Sequence, residues 1–327
     1  YDKALAAKAP KAAAWCKSGA VMRWTNSSWP QPIELFYRCA GKPSDPAVYL
    51  QHGWPTSSFD FEDLFSGLSA DHYVCALDTP GYGFSDKPDG YPYSMLEDGE
   101  IVETFIRDVM KVKQVALVSH DKGDSVALEL LHRYVSKPPG FKLKSFTMMN
   151  GSIYLPKAAI STFQNTLLSP TTGPGLAKSL TGALLASALG GATYSPPLSA
   201  AEVAELASIF DFDDGTDRLH QTIQYLKERS VYEETRWLAA LGQSTVPVTL
   251  IWGEKDPVAV PAVADYVWSD VLAKRSAPAS YWRIPCGNHY VQNDRPQDIL
   301  AILRGKALPP QKETTCNKTY LHLQTKP

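Results

Sequence analysis

No apolar run in this 327-residue chain reaches the ~18–20 residues that a membrane-spanning helix needs; Ser, Gly or a charge interrupts every longer stretch. Surplus positive charge is also missing. Lys and Arg number 32 against 34 Asp and Glu, a formal net charge of −2, which leaves no basic face for nucleic acid. The five cysteines, Cys16, Cys39, Cys75, Cys286 and Cys316, stand singly, and without a C-x-x-C pair the usual zinc spacing is excluded. No fixed-period repeat is present. Residues 3–14, rich in Ala and Lys, lack the apolar centre of a signal peptide, so a targeting segment is expected to have been removed or never to have existed. These absences leave a small-molecule substrate as the expected partner, with no metal or cofactor.

Cys75 lies inside an apolar run and reads as a buried thiol. The other four cysteines flank the two ends of the domain, which makes Cys16–Cys39 and Cys286–Cys316 the candidate bridges. Three N-x-[ST] sequons begin at Asn26, Asn150 and Asn317, and Asn150 falls beside the region that carries the chemistry. The two peripheral sequons and the pairable cysteines favour a secreted or endoplasmic reticulum protein over a cytoplasmic one.

Short β-branched and aromatic runs alternate with helical patterns, the signature of an α/β sheet. Expected strands are Gly19–Asn26, Ile33–Ala40, Ala47–Gln51, His72–Leu77, Gln114–Ser119, Leu143–Asn150, Val246–Trp252 and Tyr281–Ile284. AVYLQ, QVALVS and VTLIW are nearly continuous apolar runs, as in parallel strands buried on both faces. Helical patterns cover Ser58–Leu68, Leu96–Lys111, Ser125–Tyr134, Ala262–Leu272 and Pro296–Arg304. The alternation breaks once, where residues 154–244 offer a Gly/Ser/Pro-rich passage and helical stretches at Ala200–Phe210 and Asp217–Arg229. The organisation this predicts is a core of residues 19–153 and 245–308, a helical cap over 154–244, an N-terminal extension over 1–18 and a poorly core-forming tail over 309–327.

The stretch Val115–Ala127 reads as an apolar strand, then Ser119-His120-Asp121-Lys122-Gly123, then a helix. Small-x-nucleophile-x-small is the layout of a nucleophile elbow, in which a sharp strand-to-helix turn exposes the central residue and the flanking backbones approach closely. Here the central residue is Asp121. Gln51-His52-Gly53-Trp54-Pro55 follows the third strand and can aim the Trp54 amide at the elbow, with the Lys122 amide as the second oxyanion donor. Asp256, in Gly253-Glu254-Lys255-Asp256, and His289, in Gly287-Asn288-His289, follow later strands. The order nucleophile, acid, histidine is that of α/β-hydrolases, and it predicts Asp121, Asp256 and His289 as the catalytic set.

Aspartate changes the reaction. A carboxylate attacking acyl carbon would make a reactive anhydride, so its natural target is an sp³ carbon bearing a leaving group, and the product is an alkyl ester. His289, oriented by Asp256, then activates the water that attacks the ester carbonyl. Epoxides and alkyl halides suit this sequence of steps.

HGWPTSSFDFEDL, ALDTPGYGFSDKP, SHDKGDSVALELLHRY, WGEKDPV and GNHYVQNDRP resemble the epoxide hydrolase and haloalkane dehalogenase branch of the α/β-hydrolase superfamily. The resemblance covers about residues 20–305. It implies a mostly parallel eight-stranded sheet flanked by helices, an inserted lid, and the roles given above to Asp121, Asp256 and His289. Two departures bear on substrate. Lys122 stands where haloalkane dehalogenases carry a halide-binding Trp, and Leu238 stands where epoxide hydrolases carry the Tyr of an N-W-Y motif. Trp54, His120, Tyr154, Tyr225 and Trp237 are the candidate substrate-contacting residues, Tyr154 being the preferred ring-protonating tyrosine. An epoxide-hydrolase type of activity is favoured, with a dehalogenase using atypical halide binding, or a non-catalytic binding or regulatory protein, as alternatives.

Overall fold

The computed structural model describes residues 7–26, 29–306, 308 and 320–325. Among these, nine strands form one sheet: β1 (Ala20–Asn26), β2 (Trp29–Ala40), β3 (Ala47–Gln51), β4 (Tyr73–Leu77), β5 (Gln114–His120), β6 (Lys142–Met149), β7 (Val248–Gly253), β8 (Ala279–Ile284) and β9 (Leu321–Gln324). Their order is β1-β2-β4-β3-β5-β6-β7-β8-β9. From β4 to β8 in that order every pairing is parallel, and antiparallel strands close both edges.

Period-two alternation explains why the central strands read as unbroken apolar runs. Along β3, Ala47 and Tyr49 enter one hydrophobic core while Val48 and Leu50 enter the other. In β7, Val248, Leu250 and Trp252 face the first core and Ile251 the second. A strand buried on both faces has no polar face to display.

Two cysteine expectations are corrected. Cys75 is not a free thiol: it is bonded to Cys39, while Cys16 is free. The reason is register, since β2 and β4 are antiparallel neighbours in which Cys39 sits directly opposite Cys75 at a Cα separation of 4.1 Å. Cys286 is disulfide-bonded, and Cys316, its expected partner, lies with the Asn317 sequon outside the described residues. The tail is not wholly without structure, because β9 pairs antiparallel with the edge strand β8 and stacks His322 on Trp282 at 3.5 Å. The N-terminal segment contributes a helix, Pro10–Lys17, whose Trp15 is buried against Phe59 and Phe65. Its first amides, of Lys11 and Ala12, donate to the Glu205 carboxylate, which satisfies donors that a helix start leaves without partners.

The Gly/Ser/Pro-rich passage between β6 and β7 is also more ordered than its composition suggests. It forms helices Thr162–Leu168, Gly173–Ser179 and Gly182–Ala192 ahead of the expected Ala200–Phe210. Capping supplies the starts that propensity does not: Ser161 and Ser199 each make a reciprocal capping box, and Thr181 caps the third helix. The sequence-predicted Asp217–Arg229 helix divides into Leu219–Thr222 and Tyr225–Tyr232. No helix among the described residues is long and apolar enough to cross a membrane.

Candidate active site

Strand β5 ends at His120 and the next helix begins at Lys122, so the whole direction change falls on Asp121. Its backbone sits at φ 52°, ψ −120°, a region that non-glycine residues rarely occupy. Close backbones explain the small neighbours. A Cβ on Gly123 would lie 2.4 Å from the His52 carbonyl oxygen, and one on Gly53 would lie 2.6 Å from the Asp121 Cβ. The turn is fastened by Asp124, whose Oδ1 accepts from Ser119 Oγ at 2.5 Å and from the Met149 amide at 3.3 Å. Burial pushes the Asp124 carboxyl well above the usual carboxylate range.

The two oxygens of Asp121 have different surroundings. Oδ2 accepts the Trp54 amide at 2.8 Å, while Oδ1 lies 3.8 Å from His289 Nε2, too far for a direct hydrogen bond. The Trp54 amide is aimed from behind by His52. Burial lowers the His52 pKa to about 3, so its neutral ring donates from Nδ1 to the Gly53 carbonyl at 2.8 Å and accepts the Thr79 amide at Nε2. In a trans peptide the N–H points opposite the C=O, so holding the Gly53 carbonyl turns the Trp54 N–H toward Asp121. The Lys122 amide opens the helix and has no intrahelical acceptor, as at every helix start.

His289 donates Nδ1–H to Asp256 Oδ2 at 2.9 Å. Asp256 is itself fixed: Asn150 Nδ2 donates to Oδ2 at 2.7 Å, and the Val258 and Ala259 amides donate to Oδ1. Burial opposes charge on the His289 ring, but the carboxylates of Asp256, Asp121 and Asp60 outweigh it and raise the pKa to about 9. For Asp256, burial is likewise outweighed, by His289 and the hydrogen bonds it accepts, and its carboxyl is held below the usual range. Asn150 is fully buried, so its sequon leaves no room for a glycan, and its amide instead braces the acid.

The structure places the remaining sequence-selected residues unevenly. Burial lowers the His120 pKa to about 4, and the neutral ring donates from Nε2 to the His289 carbonyl at 2.9 Å while packing on the His289 and Tyr290 rings. It supports the histidine loop. Tyr225 is buried beside the site, its ring 6.4 Å from that of Trp54. Burial and the Asp121 carboxylate hold its hydroxyl well above its ordinary pKa, and so protonated. The indole N–H groups of Trp54 and Trp237 are both engaged within the protein. Trp54 Nε1 donates to Thr222 Oγ1 at 3.1 Å, and Trp237 Nε1 donates to Glu129 Oε2 at 3.0 Å. Arg236 adds a two-pronged contact to the same buried Glu129, so the Arg-Trp pair ties the inserted helices to the Lys122–Ser136 helix. Tyr154 is directed away from ring protonation: its hydroxyl donates to Glu234 at 3.0 Å and its ring stacks on Tyr266 at 4.0 Å. The Lys122 ammonium is spent on the buried Asp98, 2.5 Å away, and lies over the Tyr82 ring. Burial pushes Asp98 up to about 6 in spite of that ammonium.

Sequence reasoning missed Tyr82, Thr222 and Arg229. Tyr82 belongs to the G-Y-G-F loop and brings a buried hydroxyl with no hydrogen-bond partner among the described residues. Arg229 was visible as the i+4 neighbour of Tyr225, a spacing that puts both on one helix face. Among the described residues no group of three or more His, Cys, Asp or Glu is arranged to hold a metal ion.

Residues 46–296 match the alpha/beta hydrolase fold family. The chain belongs to that family. The Mycobacterium tuberculosis protein LipZ, named as a hydrolase, is 32% identical over 284 residues, covering 86% of this chain and 95% of LipZ. The human mesoderm-specific transcript homolog protein is 34% identical over 235 residues, 69% of each chain. Epoxide hydrolase 3 of Xenopus tropicalis is 25% identical over 295 residues, covering 83% of this chain and 74% of that protein. Among solved structures, haloalkane dehalogenase DbeA from Bradyrhizobium elkani superposes with a TM-score of 0.69 at 20% identity, over 88% of this chain and 97% of DbeA. That likeness speaks for the fold alone.

Proposed function

We propose that this hydrolase acts through an alkyl ester on Asp121 and opens a strained C–O ring, an epoxide being the simplest case. The observation that carries the reading is the division of labour between the two Asp121 oxygens. Oδ2 rests on the Trp54 amide, and Oδ1 is left to attack. Attack forms the Oδ1–carbon bond and breaks the ring C–O bond, and the released oxygen takes a proton from a buried hydroxyl, for which Tyr225 is best placed. Water then adds to the Asp121 carbonyl carbon, and its proton passes to His289 Nε2. The oxyanion of that step rests on the Trp54 and Lys122 amides; removing one such donor typically costs ~10²–10³-fold in rate. Collapse releases the diol and restores the carboxylate, and the proton taken from water stays on His289, as in the resting enzyme.

Esterification also prepares the base. It cancels the Asp121 charge, one of the charges that hold His289 protonated, so the imidazolium gives its Nε2 proton to the deprotonated hydroxyl and is neutral when water is to be activated. Halide displacement would use the same nucleophile, but the indole N–H groups of Trp54 and Trp237 are both committed, which favours the ring-opening reading. The inserted helices serve as the lid of this site. The test is to incubate His289→Gln with an aryl epoxide and weigh the intact protein. Accumulation of one covalent adduct on the Asp121 peptide is expected; full steady turnover without an adduct would contradict the reading.

A further inference from the structure

Arg229 is a fully buried cation with no carboxylate in hydrogen-bond contact among the described residues. Its Nε donates to Ser125 Oγ at 3.0 Å, one helical turn beyond Asp121, and its guanidinium carbon lies 4.8 Å from the centre of the Tyr225 ring. Both terminal nitrogens are without a hydrogen-bond partner among the described residues. The polar group nearest that free edge is the Tyr225 hydroxyl, which feels the guanidinium both as a charge and as a hydrogen-bonding neighbour. Neighbouring carboxyls do not pair with it. Asp124 and Glu233 lie within electrostatic reach of the guanidinium without bonding to it: Asp124 Oδ1 is held by Ser119 and the Met149 amide, its Oδ2 has no partner among the described residues and burial favours its neutral acid, while Glu233 accepts the Leu155 amide. Arg236 on the same inserted segment makes the contrast, since it meets Glu129 with two nitrogens.

A guanidinium does not shed its proton to escape burial. A buried charge without a partner is strongly unfavourable, and an arriving anion would relieve that cost. With Nε engaged by Ser125, the free edge is the pair of terminal nitrogens, a planar fork that matches the two oxygens of a carboxylate. A second need points the same way. An anionic nucleophile repels an anionic substrate, and a cation one turn from Asp121 offsets that repulsion.

We propose that Arg229 is the anion-binding residue of the Asp121 site and that the substrate carries a carboxylate beside its electrophilic carbon. This rests on Asp121 being the nucleophile, and the experiment separates the two claims. Turnover of 3-phenyloxirane-2-carboxylate is compared with that of its neutral amide in wild type, Arg229→Lys and Arg229→Met. Binding of 3-phenylpropionate to Asp121→Asn, with and without Arg229→Met, is measured by calorimetry. Wild type is expected to prefer the carboxylate by about 100-fold in kcat/KM, a preference that Arg229→Met abolishes and Arg229→Lys partly keeps. 3-Phenylpropionate should bind Asp121→Asn only while Arg229 is present.

Equal use of acid and amide by wild type would overturn the proposal while leaving the Asp121 mechanism intact. So would an Arg229→Met variant that melts like wild type and loses both substrates equally. Arg229-dependent binding of 3-phenylpropionate, combined with no adduct in His289→Gln from either epoxide, would uphold Arg229 and remove the nucleophile assignment. Should Arg229→Met fail to fold, Arg229→Lys and the wild-type preference decide.

Discussion

Around Asp121 the chain builds the site from backbone, whereas the inserted helices build their side of it from side chains. The Trp54 amide, the Gly53 carbonyl behind it and the strained turn at Asp121 are held by residues that cannot change without moving the main chain. On the inserted side, Tyr225 packs near Trp54 and Arg229 reaches Ser125, while Tyr154 and Trp237 go to surface and tethering contacts. Side chains spaced alike on the sequence thus meet very different neighbours. Backbone-made features follow from short motifs, and side-chain-made features depend on how helices pack.

The comparison breaks first at the nucleophile. Asp121→Ala should lower turnover by at least ~10⁴-fold with the melting temperature preserved, read by steady-state kinetics and thermal unfolding together. Substantial residual activity would mean that the backbone-built side is not where chemistry occurs. Asp256→Asn comes next, with an expected loss of ~10²–10⁴-fold. It should also move the His289 titration down from about 9, which NMR of the imidazole would follow.

A smaller effect concerns stability. The folded-state pKa of His289 is raised to about 9 from the ordinary 6.5. The stability this contributes is complete below about pH 6.5 and is lost as pH rises through about 9. Denaturant midpoints across that window should therefore fall more steeply for wild type than for His289→Gln. Parallel curves would show that the buried imidazolium is not held by its carboxylates. Smallest of all is Tyr154→Phe, expected to leave kcat/KM within about twofold because its hydroxyl serves a surface contact. A large loss there would return Tyr154 to the chemistry.

Much of the fold was legible because its signals are local. Eight of the described strands lie at or within a few residues of where apolar runs and turns placed them. The ninth, β9, is the four residues LHLQ added at an edge, too short for its alternation to stand out from the polar tail around it. The Cys39–Cys75 bond was hidden for a related reason: it depends on which strands become neighbours, and β2 lies beside β4 rather than β3. At the site, Asp121, Asp256 and His289 stood out by order and spacing, and the structure brings them together. Thr222 and Arg229 did not, because their meaning comes from contacts with Trp54 and Ser125, more than a hundred residues away along the chain.

A single turnover in ¹⁸O-labelled water, with enzyme in excess over an aryl epoxide, tests the central claim most directly. Mass spectrometry of the Asp121 peptide is predicted to find one heavy oxygen in that carboxylate, with the first diol released unlabelled. Label confined to the diol would mean that water attacks the substrate itself, and the alkyl-ester account would be wrong.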